Sequence, residues 1–244
     1  MTPAQRRIRM AEVLEQREYC TVEYLSALFD VSPMTVRRDL AVLEGENRAL
    51  RCRGGAGAVK YNEVVAPVFA VREHHGLAEK KELAQYALEK LSVGSAVWID
   101  SSSTAFSFAG FIEPEHGVTV VTNSLRVVGE LSHKRVTVYC TGGTFRSAEQ
   151  AFFGDAAERA LAAFRFDAAF LSPRGIVPGE GCYDCTEHEQ KLHASACRAA
   201  DTVYLLCTKS KLGCRYRYPV ADSGNECRII TSGGCFSRFP AEKE

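Results

Sequence analysis

Nowhere in the 244-residue chain is there a run approaching the roughly 20 apolar residues that a membrane-spanning helix needs, so no contact with a membrane is expected. The N-terminus is polar and charged and lacks the apolar core of a secretory signal; a cytoplasmic location is expected. Net charge is absent too. Lys and Arg number 30 and Asp and Glu number 30, so no whole-molecule field draws nucleic acid, and any attraction must be local. No internal repeat or low-complexity tract is present. The ten cysteines are scattered from Cys20 to Cys235 without the spacing of a disulfide framework, and read as reduced thiols. Cys182 and Cys185 form a single CxxC near His188 with no second pair, so no metal is expected. His188 and His193 read as surface histidines. No cofactor is expected.

What is present begins with Val31-Ser32-Pro33-Met34-Thr35-Val36-Arg37-Arg38-Asp39-Leu40. Ser32 suits a helix N-cap, and Pro33 suits the first helical position, where its missing N–H has no intrahelical partner. Val36, Leu40 and Leu43 recur at helical spacing as one apolar face, with Thr35, Arg37 and Arg38 pointing away from it. Upstream, Ile8, Ala11, Val13 and Leu14 stripe a first helix. Thr21 caps a second, with Val22, Leu25, Leu28 and Phe29 on one face. Helix, tight turn and helix is the helix-turn-helix pattern, whose later helix enters the major groove of DNA. Arg48 to Lys60 reads as a glycine-centred hairpin, a wing, with Arg51 and Arg53 on one face of an extended strand and a turn at Gly54-Gly55. Between Val36 and Lys60, six cations face three anions. The expected DNA contacts are Ser32, Thr35, Arg37, Arg38, Arg51, Arg53, Gly54 and Gly55.

Residues 61–78, including Pro67, have no clean period and read as a linker between a domain at 1–60 and a second at 79–236, followed by a tail at 237–244. A helix is expected over 79–91. Strands are then expected at 96–99, 118–121, 136–140, 168–171, 203–207 and 228–231. Helices are expected at 105–112, 125–131, 156–164 and 187–199. Short apolar strands alternating with helices predict an α/β fold with a largely parallel sheet covered on both faces.

Such sheets bind ligands at the carboxyl ends of their strands. The expected strands end in Asp100-Ser101-Ser102-Ser103-Thr104, in Thr122-Asn123-Ser124 and in Thr141-Gly142-Gly143-Thr144. Hydroxyls, amides and open main chain suit an anion, and Asp100 suits sugar hydroxyls. Lys209-Ser210-Lys211 adds cations after a later strand. A phosphorylated sugar or polyol fits this mixture better than an apolar ligand. The same rim could serve a phosphosugar isomerase carrying a DNA module, with Asp100 or Glu187 as general base. A DNA-binding architectural protein with an inert second domain is a third reading.

The chain resembles the DeoR-type bacterial transcription regulators. The resemblance rests on Val31, Ser32, Thr35, Val36, Arg37, Arg38, Asp39, Leu40, Arg51, Gly54, Gly55 and Ala56. It continues through Arg72, Lys80, the stretch 100–104, Thr122-Asn123-Ser124, Gly142-Gly143, Gly154, Gly175-Ile176, Glu187, Lys191 and Ser210-Lys211-Leu212-Gly213. It implies an N-terminal winged helix-turn-helix and a C-terminal domain similar to ribose-phosphate isomerases. That domain would sense a sugar phosphate without converting it. The implied function is repression of a sugar-catabolism operon, by a homo-oligomer (dimer or tetramer) bound to a double-stranded operator and released by its effector. The implied effector residues are Asp100, Ser101, Ser102, Ser103, Thr104, Thr122, Asn123, Ser124, Gly142, Gly143, Glu187 and Lys211. The chain departs from the family pattern at Ser102, where the family has glycine, at Thr208-Lys209 for Asp-Ser, at Ser172-Pro173-Arg174 for a glycine-containing turn, and at Arg53 for the wing histidine.

Overall fold

The computed structural model describes residues 1–236 except 18, 46–47, 53–54, 59–68, 178–179 and 221–225. Arg53, Gly54, most of the stretch expected as linker and the 237–244 tail therefore lie outside the described residues. The chain divides into two compact units, Met1–His75 and Gly76–Glu244.

The first unit runs α1 (Pro3–Arg17), β1 (Tyr19–Thr21), α2 (Val22–Phe29), α3 (Pro33–Gly45), β2 (Ala49–Cys52), β3 (Gly55–Ala58) and α4 (Phe69–His74). Thr21 caps α2, its hydroxyl accepting the Tyr24 N–H at 3.0 Å. Asp30 ends that helix in the left-handed region at φ 50°. Ser32 then caps α3, accepting the Thr35 N–H at 3.2 Å. Two caps and one left-handed residue set the turn between the helices. Met10, Leu14, Leu25, Val36, Leu40 and Leu43 fill the core. The wing sheet has the order β1-β3-β2, all antiparallel. Strand β1 occupies residues that read in sequence only as an interhelical break. Within the stretch expected as linker, Phe69–His74 is helical, and its Phe69 and Val71 are buried.

The second unit runs α5 (Leu77–Leu88), β4 (Ala96–Ile99), α6 (Ser103–Ala109), β5 (Thr119–Thr122), α7 (Leu125–Ser132), β6 (Thr137–Cys140), β7 (Thr144–Arg146) and β8 (Ala151–Phe153). It continues with α8 (Asp155–Ala162), β9 (Phe166–Leu171), β10 (Gly175–Val177), β11 (Gly181–Asp184), α9 (Glu187–Ala199), β12 (Ala200–Leu206), β13 (Tyr218–Val220), β14 (Glu226–Thr231) and β15 (Gly234–Phe236). The main sheet has the order β15-β14-β12-β9-β4-β5-β6. Its pairings are parallel except for β14–β15. Side chains alternate across it. Trp98, Ala169 and Leu205 face one core with Leu161 and Leu192 of α8 and α9. Val97, Ile99, Phe170 and Leu206 face the other with Leu83, Phe108 and Val127 of α5, α6 and α7. This is the doubly covered α/β sheet that the alternation of elements predicts. Strand order reverses between β4 and β9, and at such a switch point the connections part and leave a crevice at the strands' carboxyl ends.

Candidate functional sites

In the first unit, Arg37 and Arg38 are exposed on α3, opposite the buried Val36, Leu40 and Leu43. Thr35 is half-buried, its hydroxyl 3.0 Å from that of Ser32. Asp39 does not share this front. It is 3 % exposed, with Arg6 Nε of α1 at 2.6 Å and Arg7 Nη1 at 3.6 Å. Its charge is spent inward, so the outward face of α3 keeps the arginines without that acid. Arg51 is exposed on β2, opposite Ala56 in the ladder, with Nη1 3.6 Å from Glu44 Oε2. Gly55 pairs with Cys52 and with Thr21, closing the wing onto β1.

In the second unit the strand ends converge at the switch point. Asp100, one residue past β4, is 1 % exposed. Its Oδ1 accepts the Ser102 N–H at 2.9 Å. Its Oδ2 accepts the Ser172 N–H, just past β9, at 2.7 Å and lies 3.0 Å from His193 Nε2. His193 Nδ1 is 2.7 Å from Asp184 Oδ2, at the end of β11. Ionised carboxylates only accept, so a ring with one on each nitrogen carries two N–H donors and is an imidazolium. Burial pushes the His193 pKa down, but the Asp184 charge and the bonds to both aspartates raise it to about 10. Burial likewise opposes the Asp100 charge, and the His193 bond and charge, with the Ser102 and Ser172 donors, hold its pKa at about 2.

A second pair backs the first. The Arg174 guanidinium holds Glu189 Oε1 at 2.5 Å through Nη2 and 3.1 Å through Nε, and the Arg174 N–H donates to Asp184 Oδ1 at 3.3 Å. Thr186, the N-cap of α9, donates to Glu189 Oε2 at 2.9 Å. Lys211 Nζ donates to the carbonyl and hydroxyl of Ser172 at 3.0 and 2.7 Å.

Most rim residues singled out in the sequence lie on these strand ends. Ser102 caps α6 through the Ala105 N–H at 3.0 Å, and Ser103 accepts from the buried Lys80 Nζ at 3.0 Å. Thr104 Oγ1 is buried with no hydrogen-bond partner among the described residues. Ser101 is half-buried, and Asn123 Nδ2 stands 3.5 Å from its hydroxyl and 3.0 Å from the Phe152 carbonyl. Thr122 and Ser124 are buried; Thr122 Oγ1 accepts the Ser124 N–H and Ser124 caps α7. Gly142 and Gly143 follow β6 at φ 63° and 111°. A Cβ at Gly143 would lie 2.6 Å from the Phe153 carbonyl oxygen, so that turn closes on β8 only with glycine.

Three sequence readings change. Asp100 is placed to hold main chain, with its carboxylate engaged on three donors. Glu187 lies outside the cluster: its side chain is 62 % exposed and pairs with Lys191 at 2.9 Å. The inward pair on α9 is Glu189 and His193, and His193 is buried where a surface histidine was expected. Neither Asp184, nine residues from His193, nor Ser172 and Arg174 carries a local signal for this role. With its carboxylates engaged, the rim presents hydroxyls, an amide and lysine ammoniums, which suits an anionic ligand rich in acceptors.

Comparison with known proteins follows the same division. A family described as the DeoR-like helix-turn-helix domain matches residues 6–62, and one described as the DeoR C-terminal sensor domain matches residues 76–233. The chain is 30 % identical to the putative aga operon transcriptional repressor of Escherichia coli O157:H7, over 95 % of this chain and 87 % of that one. It is 30 % identical to the glycerol-3-phosphate regulon repressor of Escherichia coli K12, over 87 % of this chain and 84 % of that one. The ribose 5-phosphate isomerase of Plasmodium falciparum is a distant structural neighbour, with a TM-score of 0.42 at 11 % identity over 57 % of this chain and 54 % of that one.

Proposed function

From a chain that belongs to the DeoR family of transcriptional regulators, we infer a repressor of a sugar-catabolism operon that leaves its operator when a phosphorylated sugar or polyol binds the second unit. The observation that carries the effector half is the polar rim at the β4–β9 switch point, built from Ser101, Ser103, Thr104, Asn123 and Lys211. The name of the glycerol-3-phosphate regulon repressor points to a phosphorylated polyol, in keeping with that rim.

On DNA, Thr35, Arg37 and Arg38 reach the major groove, while Ser32, Arg51 and the glycine turn of the wing meet the backbone. Two copies present two α3 helices to half-sites about one helical turn apart. Ligand shifts the balance only by binding the DNA-released arrangement more tightly. The chain is a regulator, as its relatives are named, and not an isomerase. Of the carboxylates considered as a base, Asp100 is sealed on three donors and Glu187 lies outside the cluster.

The test is a thermal-shift panel of ribose 5-phosphate, fructose 1-phosphate, glycerol 3-phosphate and their dephosphorylated forms. A hit then goes into a gel-shift assay on the DNA upstream of the neighbouring operon. A phosphorylated compound that raises the melting temperature and releases DNA supports the reading. A panel with no stabilising member, or a ligand that tightens DNA binding, counts against it.

A further inference from the structure

We propose that His193 is a positioning residue of the effector rim: its ring, held between Asp184 and Asp100, fixes the Asp100 carboxylate and through it the main chain at Ser102 and at Ser172. The proposal rests on the reading of that rim as the effector site.

Four chain segments are linked through this ring: Asp100 and Asp184 bond it directly, and Ser172 is joined to it by way of Asp100. Asp100 follows β4, Ser172 follows β9, Asp184 ends β11, and His193 itself comes from the middle of α9. Asp100 is the only group joining the first two through side-chain acceptors on both its oxygens among the contacts above, and His193 is its charged donor at 3.0 Å. Without the ring, two buried carboxylates would face one another's space with no cation between them. Such a pair keeps its geometry only by taking up a proton, because two like charges at short range do not both stay ionised in a low-dielectric interior. The hydroxyls of Ser101 and Ser103 sit on the segment whose main chain Asp100 anchors, so a loosened Asp100 misplaces them without removing either of them.

The groups facing the ring from each packed element are Asp100, Asp184, the Arg174–Glu189 pair and Lys211 by way of Ser172. Two thiols also lie nearby: Cys185 adjoins Asp184 in the chain, and Cys182 feels the Asp184 charge. Among these, replacement of His193 alters the charge seen by the two aspartates first.

The experiment compares the full-length protein with His193→Gln and His193→Lys by amide hydrogen exchange in NMR, at about pH 7.5 and about pH 5.5. In His193→Gln the Ser102 and Ser172 amides are expected to exchange about tenfold faster at the higher pH, with α1, α2 and α3 unchanged. Protection returns at the lower pH, where protonation of one of the two aspartates removes the uncompensated pair of buried charges. His193→Lys, which keeps a cation, is expected to stay close to the parent at both pH values. Equal exchange in all three proteins overturns the proposal. So does faster exchange spread evenly over the second unit at both pH values, which is the mark of a merely structural loss. A parallel thermal-shift titration with ribose 5-phosphate and glycerol 3-phosphate separates the two readings. If neither stabilises the parent, the effector reading fails for these probes while the exchange result stands. If one does, and it stabilises His193→Gln equally with the same pH profile, the positioning role fails.

Discussion

Asp39 of α3 and Arg6 of α1 meet at 2.6 Å inside the first unit, both nearly sealed from solvent. The acid that sits beside two exposed arginines in sequence is thus a brace between helices. Breaking a buried pair by removing one partner leaves the other charge uncompensated. Asp39→Ala is expected to destabilise the first unit by about 3 kcal/mol, read as a drop in the urea midpoint. Loss of DNA binding with unchanged stability would contradict the brace.

Arg38 is exposed and lies on the side of α3 away from the core, so its removal should cost affinity and not stability. Arg38→Ala is expected to weaken operator binding by roughly 1–3 kcal/mol. Arg51→Ala should weaken binding more evenly across sequences and lower the salt slope by about 1. Fluorescence anisotropy over a salt series checks both, alongside unchanged melting curves.

Lys211 reaches Ser172, the residue that bonds Asp100, from the turn that follows β12. Lys211→Ala is expected to abolish release of DNA by the inducer at concentrations that saturate the parent, with DNA affinity itself unaltered. Ser103→Glu, which sets an acid beside Lys80, should do the same. Retention of the inducer response in both variants would place the effector elsewhere.

The His193–Asp100 contact also makes stability depend on pH with a definite sign. The His193 pKa is raised in the fold from 6.5 to about 10. Its contribution is therefore complete below about pH 6.5 and is lost as pH rises through about 10. The Asp100 pKa is lowered from 3.8 to about 2, so its contribution is complete above about pH 4 and is lost as pH falls through about 2. The melting temperature of the second unit should hold level between about pH 4 and 6.5 and decline toward pH 10, and His193→Gln should flatten the alkaline decline.

The caps at Thr21 and Ser32 and the apolar spacing of 36, 40 and 43 made the DNA-binding helices legible, because all of that information is local. The strand 96–99 and the helix 187–199 were legible to the residue for the same reason. What stayed hidden depends on contacts distant in sequence. Strand β1 exists because β3 pairs with it, and β10, β11 and β13 form a sheet of their own beside the main one. The face of α9 was a different kind of miss. Glu187 and Lys191 are four residues apart, as are Glu189 and His193, so acid–base spacing alone does not choose between them. The helical phase does: Leu192, Ala196 and Ala199 are buried, and 189 and 193 fall on their side while 187 and 191 do not. Asp100 was visible as a polar strand end. Its three donors were not, because two of them, Ser172 and His193, lie far along the chain.

The reversal of strand order between β4 and β9 has a mechanical side. The connection after β4 runs into α6, packed on one face of the sheet, while α9 packs on the other. The Asp100–His193 contact wraps around the sheet's carboxyl edge and ties those two helices together like a pin through a hinge. A ligand seated in the crevice would therefore touch segments anchored in both layers at once.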